Sequence, residues 1–467
     1  MKKLIFYIGL FAVSMNGFSQ DSLNYYLSIA EKSNPTVLQR YNEYQAALQK
    51  VSQVSSLPDP QLEMGFFLSP MELMAGNQIA DIKLMQMFPW FGVIKNAKDE
   101  MSLMAKAKYE AFVDAKLQVY LDVQTNWFDL YQVRQNISIS ENNLALLQSM
   151  ERIAIAKLKT GSSGKSVGSA AGQMSGTGSG ASSTGQGGMS GMGGSTSRSV
   201  QKVNSNTGSG SMSPAMSSGS STLVEVYRIQ SQMQELENSI LLLKNEEKVI
   251  QARFNCLLNR GWELPVAGAD SLSVESLDMA YLTVTDSMFV QNPMLTMLKY
   301  DQLSIDARKK MQQKMGLPMV GVGVNYSVIS KSEMSTSLMN GDDMIMPMVS
   351  ISLPIYRKKY KAKQSESAYL KTASENNYQA TANALKVAYL EGLQQYFDSQ
   401  RRIKLYRQQR ELTQKSFDIL LKSFAASTTG LTDILQIQQQ MLDIELKQVE
   451  AVVDYNKAIS QLKRLKQ

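Results

Sequence analysis

Hydrophobic and polar positions along this chain keep a helical rhythm that is broken twice, each time by a pair of short runs set between prolines. The first pair reads QLEMGFFL after Pro60 and IADIKLMQMF before Pro89; the second reads MVGVGVNYSV after Pro318 and MPMVSISL before Pro354. No helix continues through its bracketing prolines, so the runs are read as strands near 60–68, 79–88, 319–329 and 345–353. In the third run Val320, Val322, Val324, Tyr326 and Val328 share a face opposite Gly321, Gly323, Asn325 and Ser327. In the fourth, Val349, Ile351 and Leu353 alternate with Ser350 and Ser352. An apolar face backed by a small or polar one suits a wall between lipid and water, and barrel strands of about 9 to 11 residues cross a bilayer. A half-buried hairpin in an ordinary domain gives the same alternation.

Around the strand pairs the period is 3–4. After Gly92 a helical stretch runs without proline to Thr160-Gly161, with Leu117, Tyr120, Val123, Trp127, Leu130, Arg134 and Ile137 as its seam. A second runs from Tyr356 to Thr429-Gly430. Each is followed by a shorter return helix, from Leu223 to about Arg260 and from Leu431 to the C-terminus. The latter carries Ile434, Ile437, Met441, Ile444, Gln448, Ala451, Tyr455, Ala458, Leu462 and Leu465 in the same rhythm. A helix leads into each strand pair, over 35–57 and 293–317, the first opened by the cap-like Ser33-Asn34-Pro35. Stacked end to end, a leading helix and a return helix match the length of one long helix. The plan is therefore a duplication: a first repeat over 20–260, a non-helical connection over 261–285 holding Pro265, and a second repeat over 286–467.

The two copies differ at one helical tip. Of the 61 residues from 161 to 221, 36 are Gly or Ser and none is acidic, too little apolar surface to offset ordering entropy, so a disordered loop is expected. It carries Met174, Met189, Met192, Met212 and Met216, whose thioethers are soft ligands suited to Cu(I) or Ag(I). Their irregular spacing in a chain with 29 methionines is equally a matter of composition.

Lys2 and Lys3 before the apolar run Leu4 to Val13, with Gly17 and Ser19 following, read as a secretory signal peptide over 1–19, and no cysteine follows it to take a lipid. Removing Lys2 and Lys3 lowers the formal charge from +7 to about +5. The remaining Lys and Arg are interleaved with Glu and Asp along helices, the pattern of a solvated face, so nucleic acid is not expected as a partner. Histidine is absent, which removes His-based triads, His-liganded zinc and imidazole acid–base chemistry. No other strong catalytic motif stands in their place; an enzyme is not expected, and no cofactor is implied. The single cysteine, Cys256, excludes an intrachain disulfide and is expected to be a buried or half-buried helical side chain.

Four strands cannot close a barrel, and an open sheet edge is not tolerated in lipid, so membrane strands here require several chains to share one barrel. Three chains would supply twelve strands. A non-channel periplasmic coiled-coil scaffold or surface-attachment protein is the competing reading.

The motifs SLPDP at 56–60, QMFPWFG at 86–92, SLPIYR at 352–357, KTG at 159–161 with LVEVYRIQSQ at 223–232, and STTGLTDILQIQQQ at 427–440 together resemble the TolC family of outer-membrane efflux proteins, in the style of its heavy-metal branch. The resemblance implies a mainly helical homotrimer in which a twelve-stranded β-barrel continues into a periplasmic α-helical coiled-coil barrel. It implies a passive exit duct in outer-membrane lipid, docked to a periplasmic adaptor (membrane fusion protein) and an inner-membrane pump of RND type, with metal cations among the cargoes. It places Asp433, Gln436 and the first-copy counterpart Glu225 at the periplasmic aperture, and Gly161, Gly430 and Leu431 at tips that meet the adaptor. Asp433 also stands where the helix dipole favours a carboxylate, and turn chemistry accounts equally for both glycines.

Overall fold

The computed structural model of the chain describes residues 23–162, 218–267, 291–334, 338–425 and 430–466, with 272, 274, 277 and 336. The leader region, the connection beyond 277 and the five methionines of the Gly/Ser segment lie outside these residues. In chain order the elements are α1 (Leu23–Ser33), α2 (Pro35–Val54), β1 (Gln61–Leu73), β2 (Gly76–Phe88), α3 (Val93–Ser162) and α4 (Ser218–Leu257). There follow α5 (Pro293–Met315), β3 (Met319–Ser330), β4 (Met344–Ser352), α6 (Arg357–Ala425) and α7 (Leu431–Lys466).

The strands form one antiparallel sheet in the order β1-β2-β3-β4, so the central pair joins the two halves of the chain, with Phe88 opposite Val320 and Ser330 opposite Asn77. The first hairpin is longer than its alternation suggests. Pro70 does not end β1; a bulge between Phe66 and Met71 absorbs it, and pairing resumes at Met71 with Gln78. The hairpin then closes at Leu73 and Gly76, where φ is +124° and a Cβ would lie 2.4 Å from the Ser330 carbonyl oxygen. At the other end of β2 the chain passes Pro89 and turns at Gly92 with φ +90°; the Gly92 carbonyl accepts from the Asn96 backbone N–H at 3.0 Å as α3 begins.

Helix α3, 70 residues long, is flanked by α2 and α4, and α6, of 69 residues, by α5 and α7; α3 also packs on α5 and α7. The stacking of short helices along a long one has a specific joint in each half. The Asn34 side chain caps α2, accepting from the Thr36 and Val37 N–H groups, and its Nδ2 donates to the Leu257 carbonyl oxygen at the end of α4 at 2.7 Å. Asn292 caps α5 through the Met294 N–H and donates to the Leu465 carbonyl oxygen near the end of α7 at 3.2 Å. One amide thus satisfies a helix start and another helix's end. Asn34→Ala and Asn292→Ala each lose a cap and strand a carbonyl, a cost of about 2–3 kcal/mol. A fall in thermal midpoint should accompany each, with partial recovery in the Asp variant that keeps the acceptor.

The apolar interior is strung along the helices rather than gathered in one globule. One cluster joins Tyr26, Val123, Trp127, Leu130, Phe254 and Leu258; a second joins Tyr389, Tyr396, Tyr455, Ile459 and Leu462; a third lies toward the helical tips. The seam of α3 departs from the expected one at Arg134. That side chain pairs with Glu247 at 2.9 Å and donates to the Val266 carbonyl oxygen at 2.8 Å, while Val133 takes the buried place. Cys256 also departs from expectation: it is exposed, because its neighbours Phe254, Asn255 and Leu258 occupy the inner face of α4.

Candidate translocation path

The sheet presents two unlike faces. Register places Leu84, Val324 and Pro347 side by side, then Gln86, Val322 and Val349, then Phe88, Val320 and Ile351. Val322, Val349 and Ile351 are 51, 72 and 61% exposed, an apolar surface that nothing among the described residues covers. The alternate positions carry polar chemistry. Glu63 and Lys83 form an ion pair at 3.1 Å across β1 and β2. The Ser327 hydroxyl donates to Asp81 at 3.2 Å and accepts from Gln78 at 3.1 Å. One face of the sheet is thus aliphatic and the other carries charged and hydrogen-bonded pairs.

At the far end, the first turns of α4 and α7 lie together: the Arg228 Nη1 donates to the Thr432 hydroxyl oxygen at 3.2 Å. Asp433 and Gln436 are exposed on α7, and Glu225, one turn from Arg228 on α4, is half-buried. The structure thus brings the three expected aperture residues onto neighbouring helical turns, with Asp433 forming no ion pair among the described residues. Leu431 is placed differently from the other tip positions. It is fully buried with Leu147, Met150, Val226, Ile229, Phe424, Ile434 and Leu435, where residues from both helical hairpins meet. Its side chain packs the hairpins together and offers no surface to a partner. Gly430 is exposed and a Cβ there would meet nothing within 4 Å, while Gly161 lies inside α3.

No protein-family model and no curated relative matches this sequence. The backbone, by contrast, matches solved structures over nearly its whole length. CusC, from a study of its folding and transmembrane channel formation, aligns with a TM-score of 0.70 over 96% of this chain and 95% of its own, at 13% identity. The outer membrane protein VceC of Vibrio cholerae aligns at 0.67 over 95% of this chain and 96% of its own, at 12% identity. The open-state outer membrane channel MtrE of Neisseria gonorrhoeae aligns at 0.65 over 95% and 90%, at 11% identity. The chain has the TolC-type channel fold.

Within that fold, a cavity of ≈ 630 Å³ opens between α2, α3 and α5, lined by Arg40, Lys108, Asp114, Asp301 and Arg464 among others. Burial raises the Asp301 pKa above the ordinary carboxylate value, with Lys108 opposing the shift. Between the ordinary and the raised value the folded chain holds more protons than the unfolded one, so this group's contribution falls as pH rises through that window. Asp301→Asn should therefore raise the melting midpoint at neutral pH by about 1–3 °C. The gain should vanish below the ordinary carboxylate range, a pattern that melting curves across pH would reveal.

Among the described residues no group of three or more Cys, Asp and Glu is arranged to hold a metal ion. Sequence reasoning looked for thioether ligands only in the Gly/Ser segment. It passed over the alternating methionines Met85, Met87, Met344, Met346 and Met348, which the pleat carries onto the polar face of the sheet.

Proposed function

We propose that the chain is one third of an outer-membrane exit duct. The observation that supports this is the sheet: four antiparallel strands, apolar on one face and polar on the other, with both outer edges, β1 and β4, unpaired among the described residues. Lipid leaves no backbone group unpaired, so β4 of one copy must find β1 of the next, and three copies close twelve strands around a water-filled lumen. The helices carry the duct into the periplasm, built from the two repeats 20–260 and 286–467 and belted by 261–285. Substrate passes by diffusion, with energy supplied by an inner-membrane pump of RND type through a periplasmic adaptor. Metal cations are proposed among the cargoes. In the trimer three copies of Asp433, with Gln436 and Glu225 beside them, ring the periplasmic aperture and favour cations over anions. Gly161 and the open surface at Gly430 form the adaptor-facing tips.

Purified in detergent after cleavage of 1–19, the chain should migrate as a trimer without heating and conduct ions in a planar bilayer. A monomer that is soluble without detergent and silent in the bilayer would overturn the reading in favour of a periplasmic scaffold. Within a conducting trimer, Asp433→Asn should reduce cation over anion selectivity; an unchanged reversal potential in a salt gradient would remove Asp433 from the aperture.

A further inference from the structure

Two methionines on the polar face of the sheet, Met85 and Met87, occupy places that the backbone prepares for them. Gly323 of β3 stands between Met85 of β2 and Met348 of β4; one rung away, Gly321 stands between Met87 and Ser350. Side chains two strands apart have backbones separated by about 10 Å and ordinarily do not meet, because the residue between them fills the space. Here that residue is glycine, and over Gly321 the neighbouring side chains lean in from both sides. A Cβ at Gly321 would fall 2.3 Å from the Ser350 Oγ and 2.6 Å from the Met87 Sδ. At Gly323 it would fall 2.6 Å from the Leu84 carbonyl oxygen and 3.4 Å from the Met85 Cβ. Both thioethers converge on one oxygen: the Ser350 Oγ lies 3.4 Å from the Met85 Sδ and 3.8 Å from the Met87 Sδ.

We propose that Met85 and Met87, with Ser350 between them, form a thioether site for a soft monovalent cation, Ag(I) or Cu(I), on the water-facing wall of the barrel, repeated in each copy. The inference rests on the sheet being a barrel wall, as proposed above. Thioether sulfur is neutral and polarizable and does not titrate, so it binds soft d10 cations while offering little to hydrated Na+, K+ or Mg2+. The cation exchanges part of its water shell for sulfur, and the Ser350 hydroxyl turns from sulfur to the remaining water. No electron changes hands. Neutral ligands on an open wall hold the ion loosely enough to release it, as a conduction pathway requires.

The test is silver nitrate, in chloride-free nitrate buffer, added to single channels of the full chain in a planar bilayer. Silver should lower the current of the wild type, and the concentration for half effect should rise at least about tenfold in the Met85→Leu/Met87→Leu double variant. Met64→Leu, on the lipid face, should respond as wild type. An identical silver response in the double variant overturns the site. Conductance without silver reads the channel proposal separately, so the two can fail independently. Where the double variant yields no channel, equilibrium dialysis of silver(I) against detergent-solubilised wild type and Met87→Leu decides. The variant must take up less silver per chain against the same background from the other methionines; equal uptake overturns the site.

Discussion

Val322→Arg is expected to remove the assembled, heat-modifiable trimer from the outer membrane. Val322 lies in the central strand β3, flanked in register by Gln86 and Val349, and is 51% exposed on the apolar face. In the proposed barrel a guanidinium there would face hydrocarbon at a cost of about 2–4 kcal/mol near the bilayer midplane. Because each of three copies contributes one, the barrel carries roughly 6–12 kcal/mol, comparable with the whole stability of an ordinary fold. The opposite face supplies the control. Met346 pairs with Asn325 and shares its polar side of the sheet, so Met346→Arg should assemble normally and alter only conductance. Outer-membrane fractionation and unheated gel migration distinguish the outcomes. If Val322→Arg assembles as well as Met346→Arg, the apolar face does not meet lipid and the barrel reading fails.

The strands and long helices were legible because their signals are local. Period-two alternation in Val320 to Val328 fixes both faces of β3, and proline-free 3–4 spacing fixes α3 and α6 before any neighbour is known. What escaped depends on partners distant in sequence. Pro70 argues for a strand end, and only the pairing of Met71 with Gln78 across a bulge shows that β1 continues. Asn34 is recognisable as a cap from Ser33-Asn34-Pro35, yet its second bond, to the Leu257 carbonyl oxygen, needs the end of α4 to be in place. Leu431 looks like a tip residue beside Gly430, but the convergence of both hairpins buries it. Met85 and Met87 stood in plain period-two positions; what brings their thioethers to Ser350 is Gly321, which only the register sets between Met87 and Ser350. Asp433 and Gln436 were placed by resemblance, and the structure adds the Arg228–Thr432 contact that brings Glu225 to the same level.

The joint where α1, α3 and α4 meet the connection should be the most sensitive point of the helical part of the fold. Phe254 has no exposed surface and lies against Tyr26 at 5.1 Å and Trp127 at 5.8 Å between ring centres. Next to it, fully buried Asn255 donates to the Trp262 and Leu264 carbonyl oxygens at 3.0 and 2.7 Å and accepts from Arg260, whose guanidinium stacks over Tyr26 at 5.1 Å. The aromatic cluster therefore sets the position of the polar one that turns the chain out of α4. Phe254→Ala leaves a cavity inside this group and should cost about 3–5 kcal/mol. Helices this long unfold in segments, so the loss should be local. Amide exchange over 23–33 and 250–258 should quicken roughly 10²- to 10⁴-fold, while that over 385–403, in the second cluster, stays as in wild type. Phe254→Leu keeps most of the volume and should recover most of the protection. Uniform quickening along the whole chain would show instead that the three clusters fold as one cooperative unit and that this joint holds no privileged place in it.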